Sequence, residues 1–295
     1  MTTRIRVAVC TNRSPEAVAE ALAAVAADAP DAPRALVTSG LSQAAVDAHG
    51  TAAPGWTILA EPEPGLSRAR NRALAWAADD DDVLAFVDDD AVVEPGWHGA
   101  LLRRWDEAPA TVACIGGPIR PRFETPPPPW VSDQILPALT LLDRGAEVRD
   151  LDPANEEAVY GANISFRAGP LRDVGGFATE WGHSGSRIYF GEEDEAQRAL
   201  KKAGFSTRYI PDAAVLHVIP PERLTRKSFV KRRYAFGKAL GARGGRRRGL
   251  AAKQVATATA GVVLAAVQRN DSKLMERAVR AAENLGALTA RRARA

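Results

Sequence analysis

Four short runs of β-type residues, IRVAVCT (5–11), ALVTS (35–39), WTILA (56–60) and VLAFVD (83–88), alternate with helical segments in the first third of the chain. Such alternation requires crossover connections, which are right-handed, and predicts a mainly parallel sheet covered by helices. Ser14, Pro15 and Glu16 supply an N-cap, a proline at the first helical position and an early acid for a helix running to about Ala27. LSRARNRALAWAA (66–78) predicts a second helix, ahead of the last of these strands. The fold class expected is α/β, in which ligands gather at the carboxyl ends of the strands.

At 295 residues, 46% hydrophobic and 25% charged, the chain suits one large domain, or one domain with an appendage. Its first strand begins within a few residues of Met1, which leaves no room for the apolar core of a signal peptide. VATATAGVVLAAV (255–267) is too short and too rich in Thr, Ala and Gly to span a bilayer. A cytoplasmic protein without a membrane span is expected. Cys10 and Cys114 lie inside apolar runs and read as small buried hydrophobes in a reducing compartment.

The net charge of +3 conceals an asymmetry. From Arg223 onward there are 19 Lys and Arg against 3 Asp and Glu, whereas the preceding residues hold 20 basic and 33 acidic side chains. A body and a tail of opposite sign suggest different tasks, and the tail is the candidate for an anionic partner.

After residue 115 the character changes. GGPIRPRFETPPPPWVSD (116–133) predicts a long shaped loop, ANISFRA (162–168) a strand, and EEDEAQRALKKAG (192–204) a helix closed by Gly204. The body closes with STRYIP and AAVLHVIPP near residue 221. The expected organisation is a domain over 1–221, with a nucleotide-binding half (1–115) and an acceptor half (116–221). A basic helical extension over 222–295 follows. No internal repeat is present.

Asp88, Asp89 and Asp90 follow a buried strand directly. Aspartates in that place can hold a hard divalent cation, Mg²⁺ or Mn²⁺, which takes one or two carboxylates plus water and substrate phosphate. Alone, the triplet is equally compatible with an acidic turn. DDDD at 79–82 precedes its strand and reads as a solvated turn. Upstream, Gly65 opens a helix carrying Arg68, Arg70 and Asn71 in its first turns, a setting suited to anions.

The order of motifs resembles the inverting family-2 glycosyltransferases of the GT-A fold, a Rossmann-like α/β arrangement. The residues that carry the resemblance are CTNR (Thr11, Asn12 and Arg13), the segment Gly65…Ala69-Arg70-Asn71 and the Asp88–Asp90 triplet. GANISF (161–166), GGF (175–177), GEEDE (191–195) and PDAAVLH (211–217) follow in order, so the resemblance covers roughly residues 5 to 221. Two departures stand out. The second strand ends LVTSGLS, where the family often has base-reading aspartates, and Glu193 takes the Asp place of the family's Glu-Asp motif.

The resemblance implies a metal-dependent displacement with inversion. The donor would be a nucleoside-diphosphate sugar (UDP, GDP or TDP) and the acceptor a hydroxyl on a glycan, lipid-linked or natural-product substrate. Thr11, Asn12, Arg13, Arg68, Arg70, Asn71, Asp88 and Asp89 are expected to hold the nucleotide, with Asp88 toward the ribose and Asp89 in support. Asp90 is expected to bind the metal. His217 either reaches the metal or diphosphate or is a packed core residue. Glu193 or Asp194 would be the general base that takes the acceptor proton.

Trp130 is either a sugar platform or a plug under the Pro-rich loop, while Trp181 and His183 are candidates for the acceptor pocket. Arg232 or Arg233 is a candidate lid over the diphosphate, against the alternative of a solvated basic helix. The basic tail either meets an anionic membrane face or packs on the acidic body, within one chain or in a homodimer. It lacks the aromatic interleaving of a single-strand binder, so nucleic acid is not expected. Two competing readings are a non-catalytic protein of the same fold that binds lipid or nucleic acid, and a sugar nucleotidyltransferase. The latter usually has a Gly-rich basic loop after its first strand, and CTNRSPEAV has none.

Overall fold

The computed structural model describes residues 3–77, 79–80, 82–155, 157–179, 191–242 and 270–290. Its strands are β1 (Ile5–Thr11), β2 (Arg34–Ser39), β3 (Thr57–Glu61), β4 (Val83–Asp88), β5 (Ala91–Val93), β6 (Val112–Gly116), β7 (Ile119–Phe123), β8 (Arg149–Leu151), β9 (Asn163–Arg167), β10 (Ser206–Tyr209) and β11 (Val215–Ile219). Its helices are α1 (Pro15–Asp28), α2 (Gln43–Ala52), α3 (Leu66–Trp76), α4 (Trp97–Glu107), α5 (Ala168–Asp173), α6 (Glu192–Lys202), α7 (Arg226–Ala242) and α8 (Asp271–Thr289).

Among the described residues the main sheet runs β3-β2-β1-β4-β9-β6-β10-β8, and a smaller one β5-β11-β7. The pairs β1–β2, β2–β3, β1–β4 and β6–β10 are parallel, so the mainly parallel α/β sheet expected from the alternation is present. An antiparallel strand, β9, enters between β4 and β6. β4 is apolar along its length and buried from Val83 to Val87, as a strand covered on both faces must be. Register sets Cys10 beside Asp88 and Thr11 beside Thr38, which aligns the carboxyl ends of β1, β2 and β4 along one edge.

Helix α4 is tied to both neighbours. The Asp28 carboxylate, at the end of α1, accepts from the backbone N–H groups of Gly96 (2.6 Å) and His98 (2.8 Å), capping the N-terminus of α4. From its buried face Trp97 and Trp105 donate indole N–H bonds to Asn163 Oδ1 (2.9 Å) and Ser165 Oγ (3.0 Å) on β9. Asn163 Nδ2 in turn donates to the carbonyls of Pro118 (3.0 Å) and Ala213 (2.8 Å). Ile164 and Phe166 face the other way, as the period of two requires.

Two expectations are corrected here. The acidic run before β4 is not wholly solvated, because Asp82 is 1% exposed. It accepts from Arg4 (2.5 Å) and Arg6 (2.6 Å), both at the start of β1, and so fastens the entry of β1 to that of β4. Cys114 is buried as expected, but Cys10 is only half-buried. Burial of its sulfur still pushes the Cys10 thiol up to about 12, far from thiolate reactivity.

The described residues fall into two compact units. The first takes those of Met1–Pro121, Leu142–Ser186 and Gly191–Val218, and the second those of Arg122–Leu141 and Ile219–Ala295. The Pro-rich segment therefore clusters with the C-terminal helices, because it supplies half of their core. Ile135, Ala138 and Leu139 pack with Leu224, Phe229, Met275 and Val279. The Trp130 ring meets Phe229 edge-on at 5.3 Å, with the Arg226 guanidinium 5.7 Å from its centre, which is the plug arrangement.

α7 and α8 run in the same direction and touch through backbone. A Cβ at Gly237 would overlap the Glu283 carbonyl oxygen, and one at Gly241 that of Ala287. Arg232 donates to the Ala138 carbonyl (2.8 Å) and Thr140 Oγ1 (2.7 Å), and Arg233 pairs with Glu283. Both candidate lid arginines thus have partners inside the second unit. The arginine run at 246–248 and the Ala-rich stretch 255–267 lie outside the described residues.

Replacing Asn163 by Ala removes three bonds and strands one indole donor and two carbonyls in the core. We expect Asn163→Ala to lower the free energy of unfolding by about 3 kcal/mol in a denaturant titration. A loss below about 1 kcal/mol would show that this network is not holding β9.

Candidate active site

The carboxyl edge of β1 and β4 carries the first group of side chains. Thr11 ends β1, and its hydroxyl donates to Asp89 Oδ2 (2.5 Å) while accepting from the Arg13 backbone N–H (3.0 Å). The Arg13 guanidinium lies 3.6 Å from Asp89 Oδ1. Asp89 is therefore tied to the loop after β1, and Asn12 stands exposed beside it.

Asp90 faces another way. Its backbone carbonyl accepts from Val218 N–H (2.9 Å), and its Oδ1 lies 3.3 Å from Nε2 of His217 on β11. The β5–β11 register places His217 beside Ala91, which makes this meeting possible. Two donor atoms about 3 Å apart suit adjacent positions on one divalent ion. A carboxylate and an imidazole are a donor set that Mn²⁺ or Mg²⁺ accepts when phosphate and water complete it. Among the described residues no group of three or more His, Cys, Asp and Glu side chains converges on one point. The chain's residues thus fit a divalent ion as a partial shell.

Asp88 faces Arg70. The Arg70 guanidinium, 2% exposed, lies 3.5 Å from Asp88 Oδ1, 2.7 Å from Glu192 Oε1 and 3.9 Å from Glu193 Oε2. It also sits over the rings of Phe86 (5.6 Å) and Phe177 (5.7 Å). A Cβ at Gly161 would overlap this guanidinium, so only glycine leaves it room. Burial raises the Glu192 carboxyl above its ordinary range, opposed by Arg70. Burial also pushes Asp88 up to about 6, with Arg70 opposing and the charges of Asp90 and Asp89 adding to the shift. The Asp89 carboxyl is raised as well, first by burial, with the Thr11 hydroxyl bond opposing.

α6 brings the second group. Gly191, at φ 102°, turns the chain into a helix whose first turn carries Glu192, Glu193, Asp194 and Glu195, where the helix dipole favours acids. Glu192 and Gln197 point inward. Gln197 is fully buried and bonds both the N–H and the carbonyl of Val159, at 3.1 and 2.9 Å. This clamps α6 to the segment before Gly161. Glu193 is partly buried, its side chain 14% exposed, with Oε1 3.4 Å from the Gly161 N–H. Asp194 is half-buried on the next position of the helix.

The structure therefore brings together Thr11, Arg13, Arg70, Asp88, Asp89, Asp90, Glu193 and His217. Two expected nucleotide ligands are used otherwise. Asn71 donates to the Phe177 carbonyl (2.7 Å) and accepts from its N–H (2.8 Å), locking the Gly-Gly-Phe turn, while Arg70 is spent on carboxylates inside the protein. Arg68 pairs with Glu63 at 2.9 Å on the exposed side of α3. Trp181 and His183 lie outside the described residues. The sequence places Glu192 in the acidic motif but gives it no role of its own. Its partner is 122 positions away, so no local spacing could mark it.

Comparison with known proteins decides the family. The family model described as "Glycosyl transferase family 2" matches residues 7–174, more than half of the chain. The chain belongs to glycosyl transferase family 2. The chain is 28% identical over 154 residues to the glucosyl-dolichyl phosphate glucuronosyltransferase of Haloferax volcanii, covering 52% of this chain and 47% of that protein. The chain thus spans about half the length of that relative. It is 28% identical over 259 residues to the succinoglycan biosynthesis protein ExoM of Rhizobium meliloti, covering 81% of this chain and 75% of that one. The mannosyltransferase PcManGT of Pyrobaculum calidifontis, solved with GDP-Man and Mn²⁺, has the same fold. The TM-score is 0.62 and the identity 17%, over 96% of this chain and 86% of that one. The fold of this family-2 member is accordingly that of GT-A glycosyltransferases.

The Arg70 ion pair is the part of this site most open to measurement. Arg70→Leu leaves Glu192 buried without its cation and is expected to cost about 4 kcal/mol of folding stability. Arg70→Leu/Glu192→Leu should recover much of that loss, because the double variant buries no lone charge. If denaturation shows the double variant to be as weak as the sum of its parents, the pairing is not what holds the site.

Proposed function

We propose that the chain transfers a sugar from a nucleoside-diphosphate sugar to an acceptor hydroxyl, with inversion, using a divalent metal ion. The observation that carries this reading is one guanidinium, Arg70, set between two carboxylate groups, 3.5 Å from Asp88 and 3.9 Å from Glu193. One acid group suits the donor diphosphate and the other the acceptor. A pure binding module needs no second acid there.

In this reading Asp88 and the Thr11–Arg13 loop hold the nucleoside, with Asn12 and Arg68 at its exposed border. Asp89 holds that loop in place, and Asp90 and His217 would hold Mg²⁺ or Mn²⁺. The ion would neutralise the diphosphate and stabilise charge on the departing group. Glu193 takes the proton of the acceptor hydroxyl as general base, oriented by the Gly161 N–H and by the clamp of Gln197. Asp194, one position on, is the second candidate. Arg70 and Asn71 act as positioning residues. The donor is a UDP, GDP or TDP sugar, a choice supported by the GDP-Man of the Pyrobaculum enzyme. The catalytic domain would extend over 1–221, with 222–295 as a basic helical extension.

The extension supports a peripheral contact with an anionic membrane face. Among the described residues no helix is long and apolar enough to cross a membrane. Lys227, Lys231 and Lys238 are exposed at spacings that align them along one side of α7. Cosedimentation with phosphatidylglycerol vesicles should fall about tenfold when the three are changed to Gln together. Equal binding of both proteins would remove the membrane from this reading.

Calorimetry and turnover test the chemistry. Mn²⁺ should tighten binding of UDP or GDP, and Asp90→Ala should abolish that gain. Glu193→Gln should cut turnover by about 100-fold or more with nucleotide binding unchanged, while Asp194→Asn stays close to the parent protein. Absence of nucleotide binding with either metal would end the transferase reading.

A further inference from the structure

His49 lies in the last turn of α2 and is 1% exposed, the most buried of that helix's residues. Its Nε2 is 2.9 Å from the backbone carbonyl of Arg13, so this nitrogen carries a hydrogen and donates it. Nδ1 is buried with no hydrogen-bond partner. A polar ring placed at such cost to its second nitrogen is a poor choice for packing alone, where Leu would fill the space without leaving an acceptor unsatisfied.

The Arg13 carbonyl that receives this bond lies in the loop after β1. From Arg13 the contacts continue without a gap. Its N–H donates to Thr11 Oγ1 (3.0 Å), the Thr11 hydroxyl donates to Asp89 Oδ2 (2.5 Å), and Asp89 stands between Asp88 and Asp90. The directions follow from the ends: the Arg13 N–H can only donate and the Asp89 carboxylate can only accept. The Thr11 hydroxyl thus gives its single proton to Asp89 and accepts the Arg13 N–H on a lone pair. Ser14, directly after Arg13, is the N-cap of α1 with extended backbone (φ −73°, ψ 160°) and makes no side-chain cap bond.

We infer that His49 is a positioning residue for the nucleotide end of the site, holding the Thr11–Arg13 loop through the Arg13 carbonyl so that Thr11 and Arg13 meet Asp89. Its bearing on nucleotide binding rests on the function proposed above, whereas its hold on the loop does not.

The test uses the full chain with His49→Leu, His49→Asn and His49→Gln. A glutamine amide reaches the place of Nε2 and can donate to the same carbonyl, and an asparagine amide falls short of it. Hydrogen exchange of the Arg13 amide should accelerate about tenfold in the Leu and Asn proteins and stay within about twofold of the parent in the Gln protein. The affinity for UDP or GDP with MnCl₂ should weaken about fivefold in the first two and recover in the third. Melting temperature serves as the measure of plain packing loss, which would not separate Gln from Asn in this way. Unchanged Arg13 exchange in His49→Leu, or a Gln protein as loose as the Leu protein, overturns the inference. If the parent protein binds no nucleoside diphosphate, the proposed function fails, while the exchange measurement still decides the role of His49.

Discussion

The Arg70 guanidinium is the constraint around which this site is arranged. A buried cation is costly unless it is paired and its donors are used, and Arg70 is 2% exposed. Its surroundings meet that demand from five directions: Phe86 on β4, Phe177 after α5, Glu192 and Glu193 on α6, and Asp88 at the end of β4. The same demand accounts for Gly161, where any Cβ would displace the guanidinium. Four separate sequence motifs thus answer to one charge. Arginine suits this place better than lysine, because its planar fork can meet several carboxylates while its faces lie on aromatic rings.

Three adjacent aspartates are accommodated here with each turned to a different partner. Asp88 looks to Arg70, Asp89 to the Thr11 hydroxyl and Arg13, and Asp90 to His217. The strand end allows this, since alternate residues of extended chain project to opposite sides and the turn at 89–90 adds a third direction. Repulsion remains in part, and it appears in the raised Asp88 carboxyl alongside the larger effect of burial. Asp89, which motif comparison leaves without a distinct task, is the residue that joins β4 to the loop after β1.

Much of the nucleotide half was legible because its signals are local. β1 and β4 have the bounds their apolar runs suggest, and Pro15 starts α1 where a proline should. The strands that escaped reading are short or mixed: β6 is the five residues VACIG, β7 is IRPRF inside the stretch 116–133 expected to be a loop, and β5 and β8 have three residues each. α4 was missed because two glycines flank its first turns, and its N-terminus is capped by Asp28, 68 positions away, rather than by a neighbour. Spacing alone could place Arg70 and Asn71 on the first turns of a helix, but it could not tell which way they point. Both turn inward, toward Glu192 and Phe177. Asp82 misled for the converse reason: a run of acids reads as solvated unless Arg4 and Arg6 are known to stand beside it.

The second unit draws the same distinction between charge that is written in the sequence and charge that is available to a partner. Three arginines of α7 are engaged by the fold. Arg226 pairs with Asp271 and covers Trp130, Arg232 holds the carbonyl end of a short turn at Ala138, and Arg233 closes on Glu283 between α7 and α8. The lysines of α7 are different, being exposed at 227, 231 and 238. A guanidinium is weakly hydrated and gives several directed bonds, so it is readily taken into a helix interface, whereas an ammonium keeps its water and stays outside. Among the described residues of α7, the positive charge therefore falls into two populations. Arg226 and Arg232 add polar ties between Arg122–Leu141 and α7 to the apolar core, while Lys227, Lys231 and Lys238 are left at the surface.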